Sequence, residues 1–237
     1  MTGALQAIVL DFDGVIADSE PLHLRAFQQV LREDGIELSS GEYYGRYLGY
    51  DDAGLFSAIG LDRGIPMTEV DVATLVARKA AKIEGMLLAG SILFPGVKDF
   101  IQEASAVVPI AIASGALRHE IDKIIEAAGV ATLFSTIVAA GDTPESKPSP
   151  APYVLAFERL REATGDDLEP RRCVAVEDSR WGLQSARGAG LRCVGVTNSY
   201  PAGELKGADL VVDGLKELTL QMLDRLVITN TTPGVLK

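Results

Sequence analysis

The chain has few of the residues that cross-link a small fold or bind zinc. Its 237 residues include two cysteines, two histidines and one tryptophan. Cys173 and Cys193 each lie in a short apolar run, RCVAV and RCVGV, so we expect buried thiols and no disulfide framework, as in a reducing cytoplasm. His23 and His119 are far apart and have no cysteine nearby. We therefore predict no zinc site.

An excess of positive charge and long apolar runs are also lacking. The 33 acidic and 22 basic residues give a formal charge of −11, which argues against a partner nucleic acid or an anionic membrane. No apolar run approaches the roughly 20 residues of a membrane span, and the opening MTGALQAIVLDFDG has no basic region typical of a signal peptide. We expect a cytoplasmic protein that is a monomer or a weak homo-oligomer. A few local positive groups would still suffice to bind a small phosphorylated substrate.

The most informative stretch is AIVLDFDGVIAD, at residues 7–18. The apolar run predicts a buried strand, and residues two apart in an extended chain point the same way, so Asp11 and Asp13 project together. Such close carboxylates repel unless a cation lies between them or one of them is protonated. Gly14 permits a sharp turn and close approach of an anion to the backbone. The pattern predicts Mg²⁺-assisted phosphoryl chemistry, with a surface turn as the alternative.

The pattern of the chain changes near Phe94. Between residues 19 and 90 only helical spacing recurs, whereas short Val-, Ile- and Ala-rich runs alternate with amphipathic stretches after it. This alternation predicts an α/β fold, a Rossmann-like doubly wound parallel sheet formed by residues 1–17 and 92–237, with an all-helical insertion at 18–91. The predicted strands are 7–10, 109–113, 136–140, 172–176, 192–196 and 209–212. The predicted helices of the sheet region are 117–128, 151–163, 179–189 and 215–226.

Polar residues follow two further predicted strands. Ser114 and Gly115 come directly after PIAIA and before a helix, where a hydroxyl and exposed N–H groups form a seat for phosphate. Ser114 alone would more simply be a helix cap. Lys147 lies among the prolines of GDTPESKPSPAPY, so a stiff loop would present its charge near the aspartates. The alternative is a solvated surface lysine.

Two adjacent acids, Glu177 and Asp178, follow the strand RCVAV. They could merely complement a helix dipole, but a hard cation such as Mg²⁺ requires oxygen ligands. Asp11, the backbone carbonyl of Asp13 and Asp178 would supply three, and Glu177 would orient bound water. Because all these residues follow strands of one parallel sheet, we expect them at a common edge.

These motifs resemble those of the haloacid dehalogenase superfamily. DFDGVIAD, IASG, the lysine of SKPSP and VEDS match its four motifs in order. The segment DSEPLH and the helical insertion after the first motif are similar to the subgroup that contains β-phosphoglucomutase and many small sugar-phosphate phosphatases. The resemblance implies that the insertion is a mobile cap that closes over the substrate and excludes bulk water.

The resemblance also implies roles for individual residues. Asp11 would be the nucleophile that forms an aspartyl-phosphate, and Asp13 would act as general acid and then as base. Ser114 and Lys147 would hold the phosphoryl group. Mg²⁺ would be held by Asp178 together with Glu177.

The resemblance is weaker in the insertion and in the loop after the second motif. His23 and Lys79 fall where the mutase-like members place cap and hinge residues, which makes them candidate substrate-binding residues. At two places where β-phosphoglucomutase has an arginine and a lysine, this chain has Asp52 and Leu117. The adjacent Arg118 is a candidate substitute, as is Arg46. The missing cations weaken the mutase interpretation, because a mutase must bind a second phosphate.

The function predicted from the sequence is a Mg²⁺-dependent phosphatase acting on a small phosphorylated metabolite, for which a sugar phosphate is the first candidate. A phosphosugar mutase of the β-phosphoglucomutase type is the alternative enzyme. A binding protein that has the same scaffold but no activity is the alternative from another class.

Overall fold

The computed structural model describes residues 4–48, 50–87, 92–165 and 167–228. The chain divides into two compact units, Met1–Asp18 with Ser91–Lys237 and Ser19–Gly90. We call them the sheet unit and the helical unit. No described helix is both long enough and apolar enough to cross a membrane.

The sheet unit is built on six parallel strands in the order β3-β2-β1-β4-β5-β6. The chain fills one side of β1 and then returns to fill the other, so the order reverses at β1 and β4, where parallel sheets bind ligands. The strands are β1 Ala7–Leu10, β2 Ile110–Ala113, β3 Thr136–Val138, β4 Cys173–Glu177, β5 Arg192–Val196 and β6 Leu210–Val212. The predicted α/β fold is confirmed.

The central strands are apolar runs because helices cover both faces of the sheet. All four residues of β1 are fully buried, and Leu10 is in register with Ile112 of β2 and with Val176 of β4. The register therefore places the residue after β1 beside the end of β4. Asp11 is that residue, and its backbone N–H donates to the carbonyl of Val176 at 2.9 Å.

Helices of the sheet unit connect the strands. One of them, the helix Val97–Ser105, was not predicted from the sequence. The predicted helix 215–226 is wrong at its start, because Leu215–Glu217 forms a separate 3₁₀ turn and the helix begins at Leu220, where the Thr219 hydroxyl accepts from the Met222 N–H at 3.3 Å. The helices are α5 Val97–Ser105, α6 Arg118–Ala127, α7 Ala151–Thr164, α8 Arg180–Gly188 and α9 Leu220–Ile228.

The helical unit contains no strand in its described residues. Its elements are α1 Glu20–Glu33, α2 Ser40–Glu42, a π-helical turn Tyr43–Tyr47, α3 Asp52–Arg63 and α4 Glu69–Leu87. Helices α3 and α4 start where polar side chains cap them: Asp51 accepts from Gly54 N–H, and Thr68 and Asp71 bond each other's backbone N–H groups. Phe27 and Phe56 meet edge to face, with ring centroids 5.2 Å apart, in the unit's own apolar core.

The two segments that join the sheet unit to the insertion run side by side. The N–H of Asp18 donates to the carbonyl of Ile92 at 2.7 Å, and the N–H of Phe94 donates to Ile16 at 3.1 Å. The predicted boundary between residues 91 and 92 lies partly outside the described residues. Whether the helical unit acts as a cap stays a prediction.

Candidate active site

The loop after β1 is a tight turn closed by backbone hydrogen bonds. The carbonyl of Phe12 accepts from the N–H groups of Ile16 and Ala17, and the N–H of Phe12 donates to Asp11 Oδ1 at 2.7 Å. Gly14 has a φ of +77°, and a Cβ built on it would lie 1.8 Å from an oxygen of Asp178. Glycine is therefore required here for both conformation and space.

Lys147 lies between two carboxylates. Its Nζ is 2.8 Å from Asp11 Oδ1 and 2.6 Å from Glu177 Oε1. The loop that carries it is anchored from α8, because the buried Ser185 hydroxyl donates to the carbonyl of Ser149 at 2.5 Å. The structure thus presents this lysine as a fixed charge beside Asp11, as the stiff loop predicted, and not as a solvated surface group.

Glu177 is the most completely surrounded acid of the site. It is fully buried, and its Oε1 also accepts a hydrogen bond from the Tyr153 hydroxyl at 2.8 Å. Its Oε2 accepts from the Ser179 hydroxyl at 3.1 Å. A Cβ on Gly182 would lie 1.8 Å from Oε1, so the first turn of α8 approaches the carboxylate as closely as a glycine allows.

Asp178 is held from the connection after β5. The Ser199 side chain hydrogen-bonds Asp178, and Asn198 Nδ2 donates to the carbonyl of Gly14 at 2.7 Å. The segment after β5 therefore joins the loop after β1 to the acids after β4.

Three of these carboxylates form a compact group that fits a hard cation. The oxygens that Asp11, Glu177 and Asp178 can offer lie within 4.8 Å of one another, and all three residues are buried. Fully ionised, they carry three negative charges against the single positive charge of Lys147, which leaves two charges to be balanced. A divalent ion with oxygen preference, such as Mg²⁺, matches both the charge and the donor type.

The pKa values reflect this crowding. Burial raises the pKa of Asp11 well above its usual range, and the Glu177 carboxylate raises it further against the opposing effect of Lys147. Burial, followed by Glu177, raises the pKa of Asp178 to about 7. Burial would lower the pKa of Lys147, but Asp11 and Glu177 outweigh it and raise that pKa above its ordinary value. A bound cation would favour the charged carboxylates and lower their pKa values.

Ser114 lies at the same edge of the sheet, one residue beyond the end of β2. Its N–H donates to the carbonyl of Val138, and its Oγ accepts from Ala116 N–H at 3.0 Å. The helix cap is Leu117 and not Ser114, so the cap interpretation is wrong and the O–H group remains able to donate. The space around a Cβ built on Gly115 is open.

Two other predicted site residues, Asp13 and Arg118, are less buried than the three acids. Asp13 is half-buried in the turn after β1, where it bridges to Ala17, and its catalytic role stays a prediction. Arg118 is exposed, and its Nε lies 3.0 and 3.1 Å from the two carboxylate oxygens of Asp122 on the same helix. The guanidinium of Arg118, a predicted substrate-binding group, is therefore already paired with a carboxylate.

His23 and Lys79 come together within the helical unit. Lys79 Nζ lies 2.7 Å from His23 Nδ1, 2.5 Å from Asp52 Oδ1 and 4.5 Å from the centre of the Phe27 ring. Burial, and then the Lys79 charge, lower the pKa of His23 to about 4. Arg46 is paired with Asp62 at 2.5 Å. The substrate-binding role of His23 and Lys79 stays a prediction.

Comparison with known proteins identifies the family. The model of the haloacid dehalogenase-like hydrolases matches residues 5–190. The chain belongs to the haloacid dehalogenase-like hydrolases. The family predicted from the four motifs is therefore confirmed.

Individual relatives of this hydrolase match over most of their length. Protein CbbY of Cereibacter sphaeroides is 33% identical over 225 residues, which cover 90% of this chain and 94% of that protein. The crystal structure of a CbbY variant from Rhodobacter sphaeroides with xylulose-(1,5)bisphosphate has a TM-score of 0.78 and 30% identity, covering 93% of this chain and 99% of that one. Fructose-1-phosphate phosphatase YqaB of Escherichia coli is 25% identical over 197 residues, covering 80% of this chain and 95% of that protein.

Three residues that contact the site of this hydrolase were not predicted. Tyr153 lies in the first turn of α7, where its spacing matches ordinary core residues. Asn198 and Ser199 follow β5, and the rule that polar residues follow the strands of a site would have found them.

Proposed function

We propose that this hydrolase is a Mg²⁺-dependent phosphatase that cleaves the phosphate monoester of a small metabolite through an aspartyl-phosphate on Asp11. The observation that carries the proposal is the 2.8 Å contact between Asp11 Oδ1 and Lys147 Nζ, next to a group of acids with excess negative charge. An ammonium beside a carboxylate nucleophile can bind the phosphoryl oxygens and balance the charge that develops during transfer.

In the proposed reaction each residue of the site has a separate role. The Asp11 carboxylate attacks phosphorus while Lys147 and the Ser114 hydroxyl bind phosphoryl oxygens. Asp13 protonates the oxygen that leaves, and then accepts a proton from the water that hydrolyses the aspartyl-phosphate. Glu177 does not attack, because its carboxylate is occupied by Lys147, Tyr153 and Ser179.

Asp11, the carbonyl of Asp13 and Asp178 would hold the Mg²⁺, with Glu177 close by. When bound, the ion supplies charge stabilisation for the phosphoryl group and reduces its repulsion from the carboxylates. The burial of the three acids and their net negative charge support this assignment.

The bound ligand of one relative and the name of another support sugar phosphates as the substrate class of this hydrolase. CbbY has been crystallised with xylulose-(1,5)bisphosphate, and YqaB bears the name of a fructose-1-phosphate phosphatase. The pairing of Lys79 with Asp52 argues against a mutase, because a mutase must bind a second phosphate and Asp52 stands where β-phosphoglucomutase has an arginine.

The test is a phosphate-release screen over sugar phosphates, nucleotides and phosphoglycolate, with and without Mg²⁺. We expect Mg²⁺-dependent release from at least one sugar phosphate, and a loss of roughly 10³-fold or more in Asp11→Asn. Asp99→Asn, at an exposed position on α5, is the matched control and keeps full activity. Ordinary turnover by Asp11→Asn would overturn the nucleophile assignment. Conversion of β-glucose 1-phosphate to glucose 6-phosphate, in place of free phosphate, would establish the mutase instead.

A further inference from the structure

Tyr153 is a buried polar residue that the proposed mechanism leaves without a role. Its side chain is fully buried in the apolar core of the sheet unit. Its hydroxyl donates to Glu177 Oε1 at 2.8 Å, and the centre of its ring lies 5.0 Å from Lys147 Nζ. One side chain thus contacts both members of the Lys147–Glu177 ion pair.

The carboxylate oxygen that Tyr153 contacts is the one that binds the lysine. Glu177 Oε1 lies 2.6 Å from Lys147 Nζ, while Oε2 is bonded by Ser179. The same Nζ lies 2.8 Å from Asp11 Oδ1. The lysine is therefore shared between two acids, and its distribution depends on how much negative charge each oxygen presents to it.

A hydrogen bond from a hydroxyl reduces the negative charge that a carboxylate oxygen presents to its other partners. With the Tyr153 hydroxyl in place, Glu177 Oε1 attracts Lys147 less strongly. Without it, Lys147 would be the remaining hydrogen-bond donor to this oxygen among the described residues, and the ammonium would be drawn away from Asp11.

We propose that Tyr153 is a positioning residue, whose hydroxyl bond to Glu177 Oε1 keeps the Lys147 ammonium shared with Asp11. This inference rests on the proposed function, since it assigns Lys147 to the phosphoryl group that Asp11 accepts. Packing alone does not require the hydroxyl, because phenylalanine would fill the same volume without a buried polar group that must find a partner.

The test compares Tyr153→Phe with Phe157→Leu, a change one turn further along α7 in the same apolar core. In Tyr153→Phe we expect kcat to fall about 10-fold and KM to stay within about twofold, because one hydrogen bond to a charged group is lost. The affinity for orthovanadate, measured by the shift of thermal unfolding, falls by a similar factor. The affinity for Mg²⁺, measured by calorimetry, is unchanged or tighter, because Glu177 becomes more negative. Phe157→Leu lowers the thermal midpoint without these changes.

A purely structural role gives another pattern. Loss of Mg²⁺ and vanadate affinity together in Tyr153→Phe, or a kcat and vanadate affinity within about twofold of wild type, would overturn the inference. Failure of the proposed function is distinguishable, because it appears as a wild type that releases no phosphate in the screen. The vanadate and Mg²⁺ comparison still reports on Tyr153 in that case, and a wild type that binds no vanadate overturns both.

Discussion

Each unit of this protein contains a largely buried lysine beside an aromatic ring, and the groups around the two lysines differ in charge balance. Lys147 of the sheet unit contacts Asp11 and Glu177 beside the ring of Tyr153. Lys79 of the helical unit contacts Asp52 and His23 beside the ring of Phe27, and all four residues belong to that unit.

The Lys147 group has more acid than base, because Asp178 adds a third buried carboxylate. The Lys79 group is balanced, because one carboxylate faces one ammonium, and a histidine with a lowered pKa stays neutral near pH 7. A balanced buried pair needs no further charge. An unbalanced one creates a place for a cation and for an electrophilic phosphoryl group, so the excess charge marks the candidate site.

Removal of each lysine tests this difference most strongly. We expect Lys147→Met to lower kcat by roughly 10³-fold, because three carboxylates then lack their ammonium and the phosphoryl group loses its positive partner. Lys79→Met should lower kcat by less than about 10-fold, since its ion pair among the described residues is with Asp52 and not with an acid of the candidate site. Steady-state phosphate release by the two purified variants is the measurement. Equal losses in the two variants would contradict the comparison.

A pair of glycines with the same backbone conformation tests the importance of close approach. Gly14 and Gly35 have φ values of +77° and +75°, but an added Cβ meets Asp178 at 1.8 Å in the first case and open space in the second. Gly14→Ala should reduce Mg²⁺ affinity and kcat by roughly 10²-fold, because the Asp178 carboxylate must move. Gly35→Ala should lose only about 1–2 kcal/mol of unfolding free energy through backbone strain. Calorimetry and chemical denaturation measure the two effects, and matching Mg²⁺ affinities would refute the explanation.

The two groups should respond to pH with opposite sign. Asp178 has a raised pKa of about 7 against an ordinary 3.8, so without metal the folded state holds its proton more tightly than the unfolded chain. In EDTA this contribution to the free energy of unfolding is therefore present at about pH 4 and is lost as pH rises through 7. His23 has a lowered pKa of about 4 against 6.5, so its contribution of roughly 3 kcal/mol is present above pH 6.5 and is lost as pH falls through 4.

Peptide-resolved amide hydrogen exchange between pH 4 and 7 separates the two units, after correction for the intrinsic pH dependence of exchange. Protection should decrease with rising pH around β4 and increase with rising pH around α1 and α4. Asp178→Asn should flatten the first trend and His23→Gln the second. Trends of the same sign in both units would contradict the charge-balance account.

The sequence was sufficient to predict most of the fold. The run Ala7–Leu10 is bounded by polar residues, and β1 has those bounds, because a central parallel strand that helices cover on both faces is apolar at every position. The sheet order then brings Asp11, Lys147, Glu177 and Asp178 together, as expected for residues that follow the strands of one parallel sheet.

Other parts of the site depend on packing that the pattern does not contain. Tyr153 looks like a core residue in the sequence and is one, apart from a single hydroxyl directed at Glu177. The contact of Lys147 Nζ with both Asp11 and Glu177 depends on differences of about an ångström in the conformation of its loop, which a sequence pattern does not give. Arg118 is paired with Asp122 one turn further along α6, and its role in binding a substrate stays a prediction.

The central claim is that Asp11 accepts the phosphoryl group beside Lys147. Its most direct test is mass spectrometry of the enzyme quenched in acid during turnover of a sugar phosphate that the screen identifies. The account predicts one added phosphoryl group on the peptide that contains Asp11, and none in Asp11→Asn. Rapid phosphate release with the phosphoryl group on another residue would contradict it. So would rapid release with no phosphorylated enzyme at any time of quenching.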